Sequence, residues 1–323
     1  MNVLVAGGAG YIGSHVVRAL LDGHHKVCVY DNLSSGLREN LQPQAEFIYG
    51  DIQDGLALRR AMEGRHAVVH LAAFKAAGES MIAPEKYSTN NVGGTISLLN
   101  AAAEMGIRRV IFSSSAAVYG EPEYLPVDEA HPTQPANYYG FTKLEIERIM
   151  EWYDSLLGMR YAALRYFNAA GYDTEGRITG LEQNPANLLP VIMEVAAGWR
   201  PSLQIFGNDY ETDDGTGVRD YIHVSDLASG HLLALEKLDR EDRSFTVNLG
   251  SETGLSVQEI VDVARSITGK SIPTEVVDRR PGDPAKLTAS ARKARDELGW
   301  TAMSSDVDTL VRTSWDVYQR HIQ

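Results

Sequence analysis

The chain has 323 residues, 44% hydrophobic and 23% charged, which describes an ordinary globular protein whose length exceeds what one core usually fills and so predicts two lobes. Thirty Lys and Arg against 43 Asp and Glu leave a formal charge of −13, which excludes a broad basic surface for nucleic acid or an anionic membrane. No apolar stretch reaches the about 20 residues that span a bilayer, and the opening MNVLVAGGAG has an apolar run too short for a signal peptide, so a cytoplasmic protein is expected.

In chain order, short apolar runs at residues 3–6, 26–30, 46–49, 67–71 and 110–112 alternate with segments of helical spacing such as 12–21 and 93–104. Parallel strands need long crossovers, and helices supply them, so the alternation predicts an α/β fold with a doubly wound parallel sheet covered on both faces. The single cysteine, Cys28, lies in the second run and reads as a buried strand residue, which leaves neither an internal disulfide nor a Cys-x-x-Cys metal site. The nine histidines show no His-Glu-x-x-His spacing, and no metal is expected. After about residue 166 the rhythm breaks, and residues 171–187 and 207–217, rich in Gly, Asn, Pro and Asp, read as long loops of the kind that bind substrate. A helix near 256–268, an extended piece at 274–277 and two helices within 290–323 predict a smaller α/β lobe. The expected division is a nucleotide-binding domain at 1–170, with a returning segment near 218–250, and a second lobe at 171–217 and 251–323.

Gly7-Gly8-Ala9-Gly10-Tyr11-Ile12-Gly13 lies directly between the first strand and the first helix and fits either G-x-x-G-x-x-G or G-x-G-x-x-G. Missing side chains let the backbone turn tightly and approach a pyrophosphate, whose charge sits against the free N–H groups and positive dipole end of the helix. Glycines alone also describe a plain turn. Asp31, 18 residues beyond Gly13, ends the second run, where a carboxylate accepts hydrogen bonds from ribose hydroxyls. It would repel a 2′-phosphate, and Asn32-Leu33-Ser34-Ser35-Gly36 offers no Arg to hold one, which favours NAD over NADP. Asp51 reads either as a contact for the adenine amino group or as a loop cap.

Tyr139 and Lys143 open a predicted helix that runs to Leu157, and their i, i+4 spacing puts both on one face. A phenol titrates near about 10, so its use as a base at neutral pH needs a shift of roughly 3 units, on the order of 4 kcal/mol. A nearby ammonium and an oxidised nicotinamide both favour the phenolate. By itself the pair reads better as an exposed helix-start tyrosine and a solvated lysine, and it is the context that reverses this. Ser113-Ser114-Ser115, which follows a strand at the ligand-facing edge of a doubly wound sheet, supplies a hydroxyl to hold a substrate oxygen beside Tyr139.

Taken together these residues resemble the extended short-chain dehydrogenase/reductase family along essentially the whole chain. Matching motifs are Gly7 to Ser14, Lys75-Ala76-Ala77-Gly78-Glu79-Ser80, Asn90-Asn91-Val92, Ser113 to Gly120 and Arg165-Tyr166-Phe167-Asn168. The stretch from Ile205 to His223 is most similar to members that act on UDP-hexoses. The resemblance implies reversible epimerisation of UDP-glucose and UDP-galactose at C4, through a transient 4-keto sugar, with hydride passed to and returned from tightly bound NAD. It implies Tyr139 as catalytic base, Lys143 as a ligand of the nicotinamide ribose that tunes Tyr139, and Ser115 as an aid to proton transfer. NAD would meet Gly7, Gly10, Tyr11, Ile12, Gly13, Asp31, Asn32 and Ser35, then Asp51, Ile52, Lys75, Asn91, Ser113, Tyr139, Lys143 and Phe167. The UDP-sugar would meet Lys75, Ser115, Tyr139, Asn168, Asn187, Leu188, Phe206, Arg219, Arg280 and Asp283, two arginines suiting a diphosphate. It further implies a homodimer through helices at 92–104 and 144–157.

The chain departs from the family pattern at Ala6, often Thr, at Tyr138, commonly Pro, and at 181–187, which follows a Pro-Asn-Asn-Leu segment loosely. Leu287 falls where a bulky aromatic or a smaller residue bears on N-acetylated sugars, and leucine leaves that choice open. Two related chemistries stay on the page: a 4,6-dehydratase, for which Ser114-Ser115-Ala116 lacks the expected Asp-Glu, and a UDP-glucuronate decarboxylase, for which no basic group stands out. An NAD-binding protein without chemistry is a third reading, against which Tyr139 and Lys143 speak.

Overall fold

The computed structural model describes residues 1–183, 185–280 and 283–322. In chain order its strands begin with β1 (Asn2–Ala6), β2 (Lys26–Asp31), β3 (Glu46–Tyr49), β4 (Ala67–His70), β5 (Arg109–Ser115) and β6 (Arg160–Tyr166). They continue with β7 (Asn168–Ala170), β8 (Leu203–Phe206), β9 (Val218–His223), β10 (Phe245–Leu249), β11 (Gly254–Ser256), β12 (Thr274–Val277) and β13 (Lys286–Leu287).

The main sheet has the order β10-β6-β5-β4-β1-β2-β3, and its neighbouring strands are paired parallel. Both faces are covered, so its strands are continuous apolar runs rather than alternating ones. Alternate side chains still part company. Val3 and Val5 join Val27, Val29 and Ile111 in one buried cluster, whereas Leu4 and Ala6 join Cys28, Tyr30, Val68 and Phe112 in the other. The expected doubly wound parallel sheet is the one observed. Successive crossovers run outward from β1 in both directions, and the crevice at its carboxyl edge opens between β1 and β4, where such folds bind ligands.

Two features of this sheet exceed the periodicity argument. β5 extends through Ser113, Ser114 and Ser115, which pair with Leu164, Arg165 and Tyr166 of β6, so the serines are strand residues rather than a loop after one. The edge strand β10 returns from far along the chain to pair with β6, Phe245 opposite Ala162.

The catalytic-helix candidate spans Tyr138–Leu157. Asn137 starts it, its side chain accepting from the Gly140 N–H at 2.9 Å, and Gly158 stops it at φ 65°. The remaining strands form a sheet of β11, β9 and β13, with β7 against β9, and a parallel β8–β12 pair. Helices Leu188–Ala196, Val257–Thr268 and Val307–Tyr318 pack there around Ile192, Met193, Ile205, Val261 and Trp315, a core separate from those of the main sheet. No described helix is long and apolar enough to cross a membrane.

Candidate active site

The glycine turn between β1 and the helix Tyr11–Asp22 is built by exclusion. Gly7 has φ +86°, and a Cβ on it would lie 2.6 Å from the Ala72 nitrogen; one on Gly13 would lie 2.0 Å from the Gly7 carbonyl oxygen. Gly10 precedes the helix in extended conformation with no side-chain cap, which leaves the first helical N–H groups open to an anion. At the end of β2 the buried Asp31 carboxylate accepts from the Ala9 N–H at 3.0 Å and the Leu33 N–H at 2.8 Å. Burial pushes its pKa up and these two bonds pull it down. Its remaining lone pairs border the cleft, as a ribose diol requires. This cradle fits a dinucleotide.

Into that cleft the fold brings Gly7, Gly10, Tyr11, Ile12 and Gly13 from the turn, and Asp31, Asn32 and Ser35 from the end of β2. Ile52 and Lys75 line it from the next two strand ends, and Ser113, Tyr139 and Lys143 close its inner end. Three residues with expected cofactor contacts stand behind the lining instead. Asp51 accepts from Asn32 Nδ2 at 2.8 Å and the Gln53 N–H at 2.9 Å, orienting Asn32. Asn91, fully buried, clasps the backbone N–H and C=O of Phe74 at 2.9 Å each and shapes the loop after β4. Phe167 packs with Val118, Tyr119, Leu144 and Ala289. Conversely, Tyr166, Phe74, Gly180 and Glu182 line the cleft without having been singled out. Tyr166 faces Ser115 across the β5–β6 register, a relation visible only once that pairing is known. Glu182 reaches Lys75 in an ion pair of 2.5 Å from a distant loop.

At the inner end Ser115, Tyr139 and Lys143 converge. The Tyr139 N–H donates to Ser80 Oγ at 3.0 Å, which seats the first helical turn. Burial pushes the Tyr139 phenol up to about 12, and its hydrogen bond with the Ser115 hydroxyl pulls the other way. Lys143, one turn on, donates to the Ser113 carbonyl at 2.6 Å and lies 5.7 Å from the centre of the Tyr139 ring. Burial lowers its pKa from 10.5 to about 7, and Glu147 opposes that fall. A phenol, a hydroxyl and an ammonium poised near neutrality can together accept and return a proton.

A second cleft is lined by Asn168, Asn187, Leu188, Phe206, Arg219, Arg280 and Asp283, seven of the ten residues that the resemblance assigned to the nucleotide-sugar; Lys75 and Tyr139 line the first cleft instead, and Ser115 lines neither. Asn187 precedes the helix Leu188–Ala196 and its side chain makes no cap, so another open helix N-terminus faces this space. Arg219 donates to Asp283 at 2.6 Å, and the Arg280 guanidinium lies 3.7 Å from the Phe206 ring centre, a stacked cation on an aromatic face. Asn168 Nδ2 donates to the Asp220 carbonyl at 3.1 Å. The two clefts draw on neighbouring residues of the chain: Tyr166, ending β6, lines the first, and Asn168, starting β7, lines the second. Leu287 packs beside Phe167 and Ala116.

The model of the NAD dependent epimerase/dehydratase family matches residues 3–250. The chain is 47% identical to UDP-glucose 4-epimerase of Lacticaseibacillus casei, over 99% of this chain and 98% of that one. Its structure superposes on UDP-glucose 4-epimerase from Brucella ovis in complex with NAD with a TM-score of 0.96 at 44% identity, covering 98% of each chain. UDP-glucose 4-epimerase from Stenotrophomonas maltophila, with bound NAD and formylated UDP-arabinopyranose, superposes at 0.95 and 40% identity, covering 99% of this chain and 98% of that one.

Proposed function

The chain belongs to the NAD-dependent epimerase/dehydratase family, and on that footing we propose that it interconverts UDP-glucose and UDP-galactose at C4. The observation that carries this reading is the convergence of Ser115, Tyr139 and Lys143 at the inner end of a dinucleotide cleft, beside the presence of a second cleft furnished with Arg219, Arg280 and an open helix end.

In this reading Tyr139 takes the proton of the sugar 4-hydroxyl, Ser115 holds the same oxygen, and Lys143 lowers the cost of the phenolate by its charge. Bound NAD supplies the hydride acceptor, and later the donor, at sugar C4. Arg219, Arg280 and the N-terminus of the helix at Leu188 hold the diphosphate while the 4-keto hexose presents its other face. Tyr139 then returns the proton, with no net oxidation. Gly7, Gly10, Gly13, Asp31, Asn32 and Ser35 hold the dinucleotide, with Asp51 and Asn91 supporting them from behind.

A homodimer and a cytoplasmic location belong to the same proposal. Ile146 and Met150 are spent on the core, but Phe141, Trp152 and Leu156 of the same helix are exposed apolar side chains available to a second copy. The activity is tested by incubating purified protein with UDP-galactose and no added NAD and quantifying the UDP-sugars by chromatography. UDP-glucose is the expected product. If none forms even after NAD is supplied, the assignment passes to another nucleotide sugar or to a binding protein.

A further inference from the structure

Tyr139, Lys143 and Glu147 follow one another at intervals of one turn along the buried face of the helix Tyr138–Leu157. Glu147 is 4% exposed, and a carboxylate at that depth persists only where its lone pairs are taken up. They are: Arg165 Nε donates to Oε1 at 3.0 Å, Arg165 Nη2 donates to Oε2 at 2.5 Å, and the Ser114 hydroxyl donates to Oε1. Ser114 and Arg165 are directly opposed in the β5–β6 register, flanked by the pairs that carry Ser113 and Ser115. The fork therefore ties the helix bearing Tyr139 and Lys143 to the strand bearing Ser115. Arg165 is held from its far side by Tyr119, at 3.1 Å, which donates in turn to Asn248 of β10 at 2.6 Å.

Around Lys143 and Glu147 the other ionisable groups are neutral. His70 of β4 is pulled down to about 3 by burial and by Lys143, and burial raises Tyr139 of the same helix, Tyr161 and Tyr166 of β6, and Tyr119. Lys143, Glu147 and Arg165 are charges of this buried region, and Glu129, Glu151 and Asp154 act on its tyrosines from outside it.

We propose that Glu147 is a positioning residue for the reaction, its Arg165- and Ser114-held carboxylate both keeping Tyr139 in register with Ser115 and balancing the charge of the Lys143 ammonium. The catalytic part of this rests on the epimerase reading, whereas the charge balance is a property of the chain itself. Removing the Glu147 charge withdraws the charge that holds the Lys143 pKa up, whereas removing the Arg165 charge leaves the Glu147 carboxylate without the guanidinium that offsets it. The two changes act on Lys143 with opposite sign, which a mere loosening of the fold would not do.

The test uses the holoenzyme with lysine labelled at ¹³Cε, the Lys143 resonance being identified by its loss in Lys143→Met. Glu147→Gln is expected to move the Lys143 titration down by about 1 pH unit and Arg165→Gln to move it up. Shifts in the same direction, or none, overturn the proposal. If Glu147→Gln fails to fold because Arg165 is left unpaired, Arg165→Gln decides alone: an unchanged or lowered Lys143 titration overturns it. Turnover of UDP-galactose is read on the same samples, where Glu147→Gln is expected to lower kcat with little change in KM. Inactive wild-type protein sinks the epimerase reading, while the lysine titration still decides the charge balance.

Discussion

Burial makes Tyr139 a poor base at neutral pH, since it pushes the phenol up to about 12. The Ser115 hydrogen bond, the Lys143 ammonium and the cationic ring of bound NAD favour the phenolate and work against this. Tyr139→Phe removes the proton acceptor and little else, so kcat is expected to fall by ~10²- to 10⁴-fold while UDP affinity, measured by calorimetry, stays unchanged. Turnover within about tenfold of wild type would refute the assignment. Residue pairs one turn apart on a helix are legible in a sequence, and Tyr139 with Lys143 is one. The Asp51–Asn32 bond and the hold of Asn91 on Phe74 were not legible, because each joins segments that meet only through the stacking of strands. Glu182 illustrates the same limit: nothing local marks it as the partner of Lys75 across the cleft.

At the scale of elements, the turn after β1 shows why its glycines are required rather than merely permitted. A Cβ at Gly13 would sit 2.0 Å from the Gly7 carbonyl, which neither backbone can accept without moving. Gly13→Ala is expected to destabilise the protein by at least ~1 kcal/mol in urea melts. It should also lower the NAD released on acid denaturation; full cofactor content in a variant of normal stability would show that the turn tolerates a side chain. β1, β2, β4 and β5 were legible as apolar runs because both faces of the sheet are buried there, and β3 was legible at the sheet's edge, whereas the inner strand β6 was not legible as a run. The last residues of β5 were not, since three serines carry no hydrophobic signal and become strand only by pairing with β6. β7, β11 and β13 are two or three residues long, too short for a period to register.

For the whole molecule, four histidines set a response to acid. His15, His70, His223 and His231 are buried, and desolvation lowers their pKa values from 6.5 to about 4, 3, 4 and 4. Each is protonated in the unfolded chain below 6.5 but stays neutral in the fold until far lower pH. The unfolded state therefore binds more protons over this interval, and stability falls as pH falls. Between pH 6.5 and about 5, above the range in which most carboxylates titrate, the urea midpoint is expected to drop steadily, and a flat midpoint there would show that these sites are hydrated. The sequence by itself determined the class of sheet, the glycine turn with its acidic partner, and the helical Tyr–Lys pair, because each is a periodicity or spacing within one or two neighbouring elements. Only the tertiary structure decided that Phe245 of β10 lies opposite Ala162 of β6, and that Glu147 and Arg165 lie buried against each other. These depend on which strands pair and which loops meet, and the packing of the whole chain sets them, since no local run of residues encodes the distance between its distant partners.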